Sequence, residues 1–343
     1  MSGCSGERIL LDKKQHYNVL IPGQAEYEET LLQRIMDRIE YYGGREVLTS
    51  VVLTGSFGRD EPSYVQSANG GLCLKSDVEI GLVFSGPCKR NLVIALAEQV
   101  AQEFVEELNF MPMSVGRVKR AHNFNFTIWP SKTKTLFTYD LYNGSKTIWG
   151  ERIIEKVPVS LKMVDLYEAK RLVANRIGEL ICCSNPKEED YMQAQWRGKL
   201  VLALGSAWLL CNGLYESSYR RQYTLLAKHK AKIEKEFGKS FFGDYEHAFL
   251  FLRQNRGFSC IQKESLMEYV KAADMLFRQL RLKKSESNSM SRKLKYWMKY
   301  LRTSREFGLI NFEDAILQTL INAFYRDDPE LPQVAKIWHN VLC

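Results

Sequence analysis

The chain has 343 residues, of which 45% are hydrophobic and 26% charged, with a formal net charge of +8 and a pI near 8.9. That length accommodates two domains, the composition is that of an ordinary globular protein, and no apolar run approaches the roughly 18 residues a membrane span needs. Eight cysteines without a C-x-x-C pair and five scattered histidines exclude the usual zinc-site spacings. With no signal-peptide core at the start, they read as reduced thiols of a cytoplasmic protein. Mild basicity suits an anionic substrate such as a nucleoside triphosphate and leaves nucleic acid open as a partner.

Residues 1–23 are a polar lead-in. From Ala25 to Tyr42, the spacing of Leu31, Leu32, Ile35, Met36 and Ile39 predicts a helix that Gly43-Gly44 stops. Val51, Val52 and Leu53 read as a short buried strand ending in Gly55-Ser56 and then Phe57-Gly58-Arg59. A polar, glycine-containing loop leads to Ser76–Phe84, where Asp77 and Glu79 alternate with Val78 and Ile80. On a strand that alternation puts both carboxylates on one face and both aliphatics on the other. Like charges on one face repel, and a divalent cation relieves that repulsion. Mg²⁺ takes hard oxygen ligands and commonly uses one or two carboxylates plus substrate phosphates. The glycine-serine turn supplies the complementary half, because glycine lets a phosphate approach the backbone closely.

Strand, Gly-Ser, loop, then Asp-x-Glu inside a second apolar strand resembles the DNA polymerase beta-like nucleotidyltransferases. The resemblance runs over Leu53–Phe84, with Gly55, Ser56, Asp77 and Glu79 at the motif positions. The loop between Ser56 and Asp77 is longer than in compact members, and Glu79 stands where many members have Asp. The resemblance implies Mg²⁺-dependent transfer of a nucleoside monophosphate from an NTP to a hydroxyl, with release of pyrophosphate. Asp77 and Glu79 would hold two Mg²⁺ ions. Gly55 and Ser56 would grip the β- and γ-phosphates, and Arg59 would add charge there or pair with Asp60 or Glu61.

Further along, Asn91–Leu108 is predicted as an amphipathic helix. Ser114–Lys119, Phe124–Trp129 and Thr135–Tyr142 are predicted as strands, with Asn143-Gly144 a turn and Lys146–Gly150 closing this part. Asp140 has two readings: a strand-end residue capping the turn, or a third carboxylate of the metal site and base for the acceptor proton. Family members place a third acid on a neighbouring strand, and no other acid lies on these three candidates, so the resemblance implies the second.

Beyond Gly150 helical segments are predicted near 162–183, 188–213, 218–236, 244–255, 261–281, 289–304, 308–325 and 332–341. The expected architecture is therefore α+β: a catalytic domain at 1–150 with a mixed sheet flanked by helices, and an α-helical bundle at 151–343. Related helical domains carry a Lys on such a helix and a Ser or Tyr at the next turn, both touching the triphosphate. Lys199, Ser218 and Tyr219 are similar to these. The alternatives are a surface lysine, an N-cap serine, and a core role for the stripe Leu200, Leu202, Leu204, Trp208 and Leu209. Basic residues interleave with Tyr296, Trp297 and Tyr300 near 278–302, which fits either a nucleic-acid surface or a solvated helix. A small-molecule acceptor such as an aminoglycoside or lincosamide is expected, with an RNA end or a cyclic oligonucleotide product as alternatives. A nucleotide-binding module without catalysis is the reading from another class.

Overall fold

A computed structural model describes residues 23–66, 72–86, 89–122, 133–183, 190–254, 261–280 and 312–326, with 332 and 335. The chain divides into two compact units, Met1–Asn125 with Phe137–Val159, and Phe126–Leu136 with Ser160–Cys343. Together they make a mixed α+β protein with a four-stranded mixed sheet.

In the first unit, helix α1 (Gln24–Tyr41) ends before Gly43, whose φ of 78° is the left-handed conformation glycine adopts freely. A single turn, α2 (Gly44–Val47), leads into strand β1 (Leu48–Leu53). The short helix α3 (Gly55–Gly58) follows, then the hairpin β2 (Tyr64–Gln66) and β3 (Leu72–Leu74), then β4 (Val78–Phe84). The long motif loop is thus a two-stranded insertion. Its base is closed where the Ser63 amide donates to Ser76 Oγ at 2.8 Å, one residue before Asp77.

Helix α4 (Arg90–Ala101), strand β5 (Leu108–Ser114), helices α5 (Val115–Lys119) and α6 (Leu136–Asn143), and strand β6 (Lys146–Gly150) complete the unit. The sheet order is β5-β4-β1-β6, with β1 antiparallel to both neighbours and β4 parallel to β5. Val78, Ile80, Leu82 and Phe84 alternate onto the face covered by Leu31 and Ile35 of α1 and Val93 and Leu96 of α4, all buried in one core. Period two therefore sends Glu79 to the opposite face.

Two expected strands differ. Ser114–Lys119 is not a strand: Ser114 ends β5, and Val115–Lys119 is a helical turn. The strand lies earlier, starting at Leu108, the last residue of the expected Asn91–Leu108 helix, which in the structure ends at Ala101. It holds Pro112, which the sheet tolerates because β5 is an edge. Thr135–Tyr142 is not a strand either but forms most of α6. Phe137, Asp140 and Asn143, three apart, are its less buried stripe, while Leu136, Thr138, Tyr139, Leu141 and Tyr142 are buried. Burial at helical period overrides the strand propensity of Thr, Phe and Tyr. The predicted strand Phe124–Trp129 lies outside the described residues.

The second unit is helical: α7 (Tyr167–Cys183), α8 (Asp190–Cys211), α9 (Tyr219–Lys228), α10 (Lys230–Phe237), α11 (Phe241–Gln254), α12 (Lys263–Gln279) and α13 (Phe312–Tyr325). The predicted 218–236 segment is two helices, broken at His229. Residues 200–210 of α8 are buried all round, so the stripe Leu200, Leu202, Leu204, Trp208 and Leu209 is core. Trp208 still satisfies its indole, donating to Glu236 Oε2 at 2.7 Å. Buried Asp274 ties α12 to α13 by accepting from Arg278 Nε and Gln318 Nε2, each at 2.8 Å. Apart from Arg278, the residues named in the basic-aromatic stretch 278–302 lie outside the described residues, as do the helices expected at 289–304 and most of 332–341. Among the described residues no helix is long and apolar enough to cross a membrane.

Gly205, in the middle of α8, has the ring of buried Tyr245 where a side chain would begin. An added Cβ would stand 2.7 Å from Tyr245 Cδ2 and 2.9 Å from Leu226 Cδ1. Gly205→Ala is expected to destabilise the protein by about 1–3 kcal/mol despite alanine's better helix propensity, because overpacking a tight contact outweighs the roughly 1 kcal/mol of propensity. Urea unfolding checks the sign: a more stable variant would mean that Tyr245 gives way freely.

Candidate active site

The site grows from the ends of two neighbouring strands. Leu53 pairs with Ile80, and the ladder continues where the Thr54 amide donates to the Glu79 carbonyl at 2.9 Å. The chain then turns at Gly55, whose φ is +59°. A Cβ on Gly55 would overlap the Glu79 carboxylate and lie 2.7 Å from its Cδ. Glycine is required there twice, for its left-handed backbone and for the carboxylate lying across its Cα. The Gly-Ser turn and the Asp-x-Glu strand are therefore in direct apposition.

The turn is clamped from its far side. A Cβ on Gly58 would meet the Leu53 carbonyl at 2.7 Å, Ser145 Cα at 3.1 Å and the Gly144 carbonyl. Gly144 itself carries the Arg59 side chain, whose Cγ would stand 2.9 Å from an added Cβ. Asp60, next along, pairs with Lys146 at the start of β6. Arg59 approaches the other acid expected for it, Glu61. Its Nε lies 3.8 Å from Glu61 Oε2, both side chains being largely buried.

Burial, and secondarily the Asp77 charge, hold the Glu79 carboxyl above the ordinary carboxylate range, with Arg59 pulling it back down. Because the folded state binds this proton more tightly than the unfolded chain, Glu79 favours folding at low pH. That contribution is lost as pH rises through the usual glutamate range toward the raised value. At neutral pH, with divalent cations chelated, ionised Glu79 is a net cost. Glu79→Gln is expected to raise Tm at pH 7.5 in EDTA, the gain shrinking toward pH 4. Equal melting temperatures at both pH values would show the carboxylate to be unstrained.

Asp77 immediately precedes β4, and its Oδ2 accepts from Asn109 Nδ2 at 2.8 Å. Asn109 lies on β5, directly across from Glu79 in the parallel ladder. Nothing in the sequence singles it out, because its partner is 32 positions away and only the strand register brings the two together. Asp140 stands on a helix, so the strand geometry expected to aim it at the pair does not exist. Its carbonyl accepts from the Gly144 amide at 2.8 Å at the end of α6. Among the described residues no group of three His, Cys, Asp or Glu side chains gathers as a metal-holding set, so Asp77, Glu79 and Asp140 do not form the expected trio.

In the second unit, Lys199 Nζ lies 4.0 Å from the ring centroid of Trp196, one turn back on α8. Ser218 is the N-cap of α9, its hydroxyl accepting from the Arg221 amide at 3.2 Å, and Tyr219 is the first residue of that helix. The capping alternative for Ser218 is thus present in the structure.

The chain matches no protein-family model and no curated protein.

Proposed function

We propose that the first unit is a nucleotidyltransferase domain that moves a nucleoside monophosphate from an NTP to a hydroxyl acceptor, releasing pyrophosphate. The observation that carries the reading is the Glu79 carboxylate lying across Gly55, with Asp77 two positions before it, at the entry to the same strand. The glycine-serine turn and a pair of acids are thereby brought to one spot.

The donor set suits a hard divalent cation. Burial and mutual repulsion leave Glu79 reluctant to ionise alone, and such a pair gains most from a dication. Asp77 and Glu79 would hold Mg²⁺ together with the substrate phosphates. Bound there, Mg²⁺ supplies Lewis-acid stabilisation of the charge that develops on the transferred and leaving phosphoryl oxygens. The chain's own residues do the positioning. Gly55 and Ser56 give the triphosphate close access to the backbone, and Arg59, packed on Gly144, adds a fixed positive charge beside the acids. Two ions are the expectation from the resemblance, and the second would need an oxygen donor beyond the Asp77–Glu79 pair. A small molecule is the favoured acceptor over an RNA end.

That no three acid side chains among the described residues stand close enough to hold one metal ion favours one second reading, a module that binds nucleotide without transferring it. Pyrophosphate release separates the two. The protein is incubated with each NTP, Mg²⁺ and a panel of aminoglycosides, lincosamides, RNA ends and nucleotides. Release that depends on one acceptor supports transfer, whereas NTP·Mg-dependent thermal stabilisation without release across the panel supports the module.

A further inference from the structure

On the acid-bearing face of the sheet, one neutral side chain is bonded to Asp77 and to a second acid, Glu107. The Val78 amide donates to the Glu107 carbonyl at 2.8 Å, the first hydrogen bond of the parallel β4–β5 ladder. Val78 then pairs with Leu108, and Glu79 with Asn109. In a parallel ladder, partners in register share a face, and alternate residues return to it. Asp77, Glu79, Glu107 and Asn109 therefore share one face: three acids and one amide.

The amide is bonded to two of those acids. Asn109 Nδ2 lies 2.8 Å from Asp77 Oδ2 and 3.4 Å from Glu107 Oε1. An asparagine NH₂ carries two donors, one for each carboxylate, whereas an ionised acid can only accept. A carboxylate at this position would add a fourth negative charge to the face and leave Asp77 without this donor. The terminal torsion of an aspartate is broad and unpinned by rotamer preference, so a donor on one oxygen sets where the other points.

We infer that Asn109 is a positioning residue: it commits Asp77 Oδ2, ties Asp77 to Glu107, and so presents the remaining oxygen of Asp77 to a divalent cation. The inference rests on the proposed reading of Asp77 and Glu79 as a cation site. Partners that orient metal-binding groups commonly cost 10–100-fold in metal affinity when removed. Asn109 is exposed at an edge strand, so its replacement leaves the core untouched.

The test uses the full chain and Mn²⁺, with the free ion counted by electron paramagnetic resonance and no nucleotide present. Asn109→Leu keeps the shape and removes both donors. It is expected to weaken Mn²⁺ binding by about tenfold, within the range seen when such orienting partners are removed, while the metal-free Tm stays close to wild type. Asn109→Ala carries the same expectation should the leucine variant fold poorly, and Asn109→Gln, which keeps the amide, recovers most of the affinity. Wild-type affinity in the leucine or alanine variant overturns the positioning role alone. A wild-type protein that binds no Mn²⁺ overturns it together with the cation-site reading.

Discussion

Asp77→Asn is expected to abolish nucleotidyl transfer, lowering kcat by roughly a thousandfold or more, while the protein stays folded. Cation stabilisation of developing phosphoryl charge is worth several kcal/mol, and about 1.4 kcal/mol is tenfold in rate. The substitution removes one of the two acids at the start of β4 and nothing from the core, since Asp77 lies outside the buried set. It also removes a charge that pushes Glu79 up, so metal-free stability holds or rises. Thermal shift supplies the second readout. A ligand at 100 times its Kd adds about 2.7 kcal/mol of stability, and the response to NTP with Mg²⁺ should be lost in the variant. Turnover within tenfold of wild type would remove Asp77 from the site.

Gly55→Ala is expected to cost more in turnover than in stability. Alanine at a φ of +59° is strained by about 1–2 kcal/mol. The new methyl also lands on the Glu79 carboxylate, the mobile end of a side chain, which relieves the overlap by moving. Displacing a catalytic group by about 1 Å costs on the order of a hundredfold in rate. We therefore expect a small drop in Tm and a loss of about a hundredfold in kcat/KM. A variant with normal turnover would mean that Glu79 has no fixed place to lose.

The parts of the site that were legible are those written in local pattern. Val51–Leu53, the Gly55-Ser56 turn and the alternation of Asp77 and Glu79 with Val78 and Ile80 each fit in a few residues, and β1 and β4 lie where that pattern puts them. Asp140 shows the limit. Thr, Phe and Tyr at period two suit a strand, but Leu136, Tyr139 and Tyr142 also recur at helical spacing, and tertiary burial selected the helix. Strand β5 was hidden for the opposite reason, because Asn109 and Pro112 weaken its strand signal and only its place at the sheet edge makes them acceptable. The Asp60–Lys146 pair and the Asn109–Asp77 bond join residues 86 and 32 positions apart. Such contacts depend on sheet order, which no local spacing encodes.

The most direct test of nucleotidyl transfer is a two-label comparison. The protein is given the same NTP labelled at the α- or the γ-phosphate, with Mg²⁺ and fractionated small-molecule and RNA acceptors. Transfer predicts that the α-label moves onto an acceptor while the γ-label leaves as pyrophosphate, and that Asp77→Asn does neither. A γ-label found on the acceptor, or inorganic phosphate released without any α-label transferred, would contradict it.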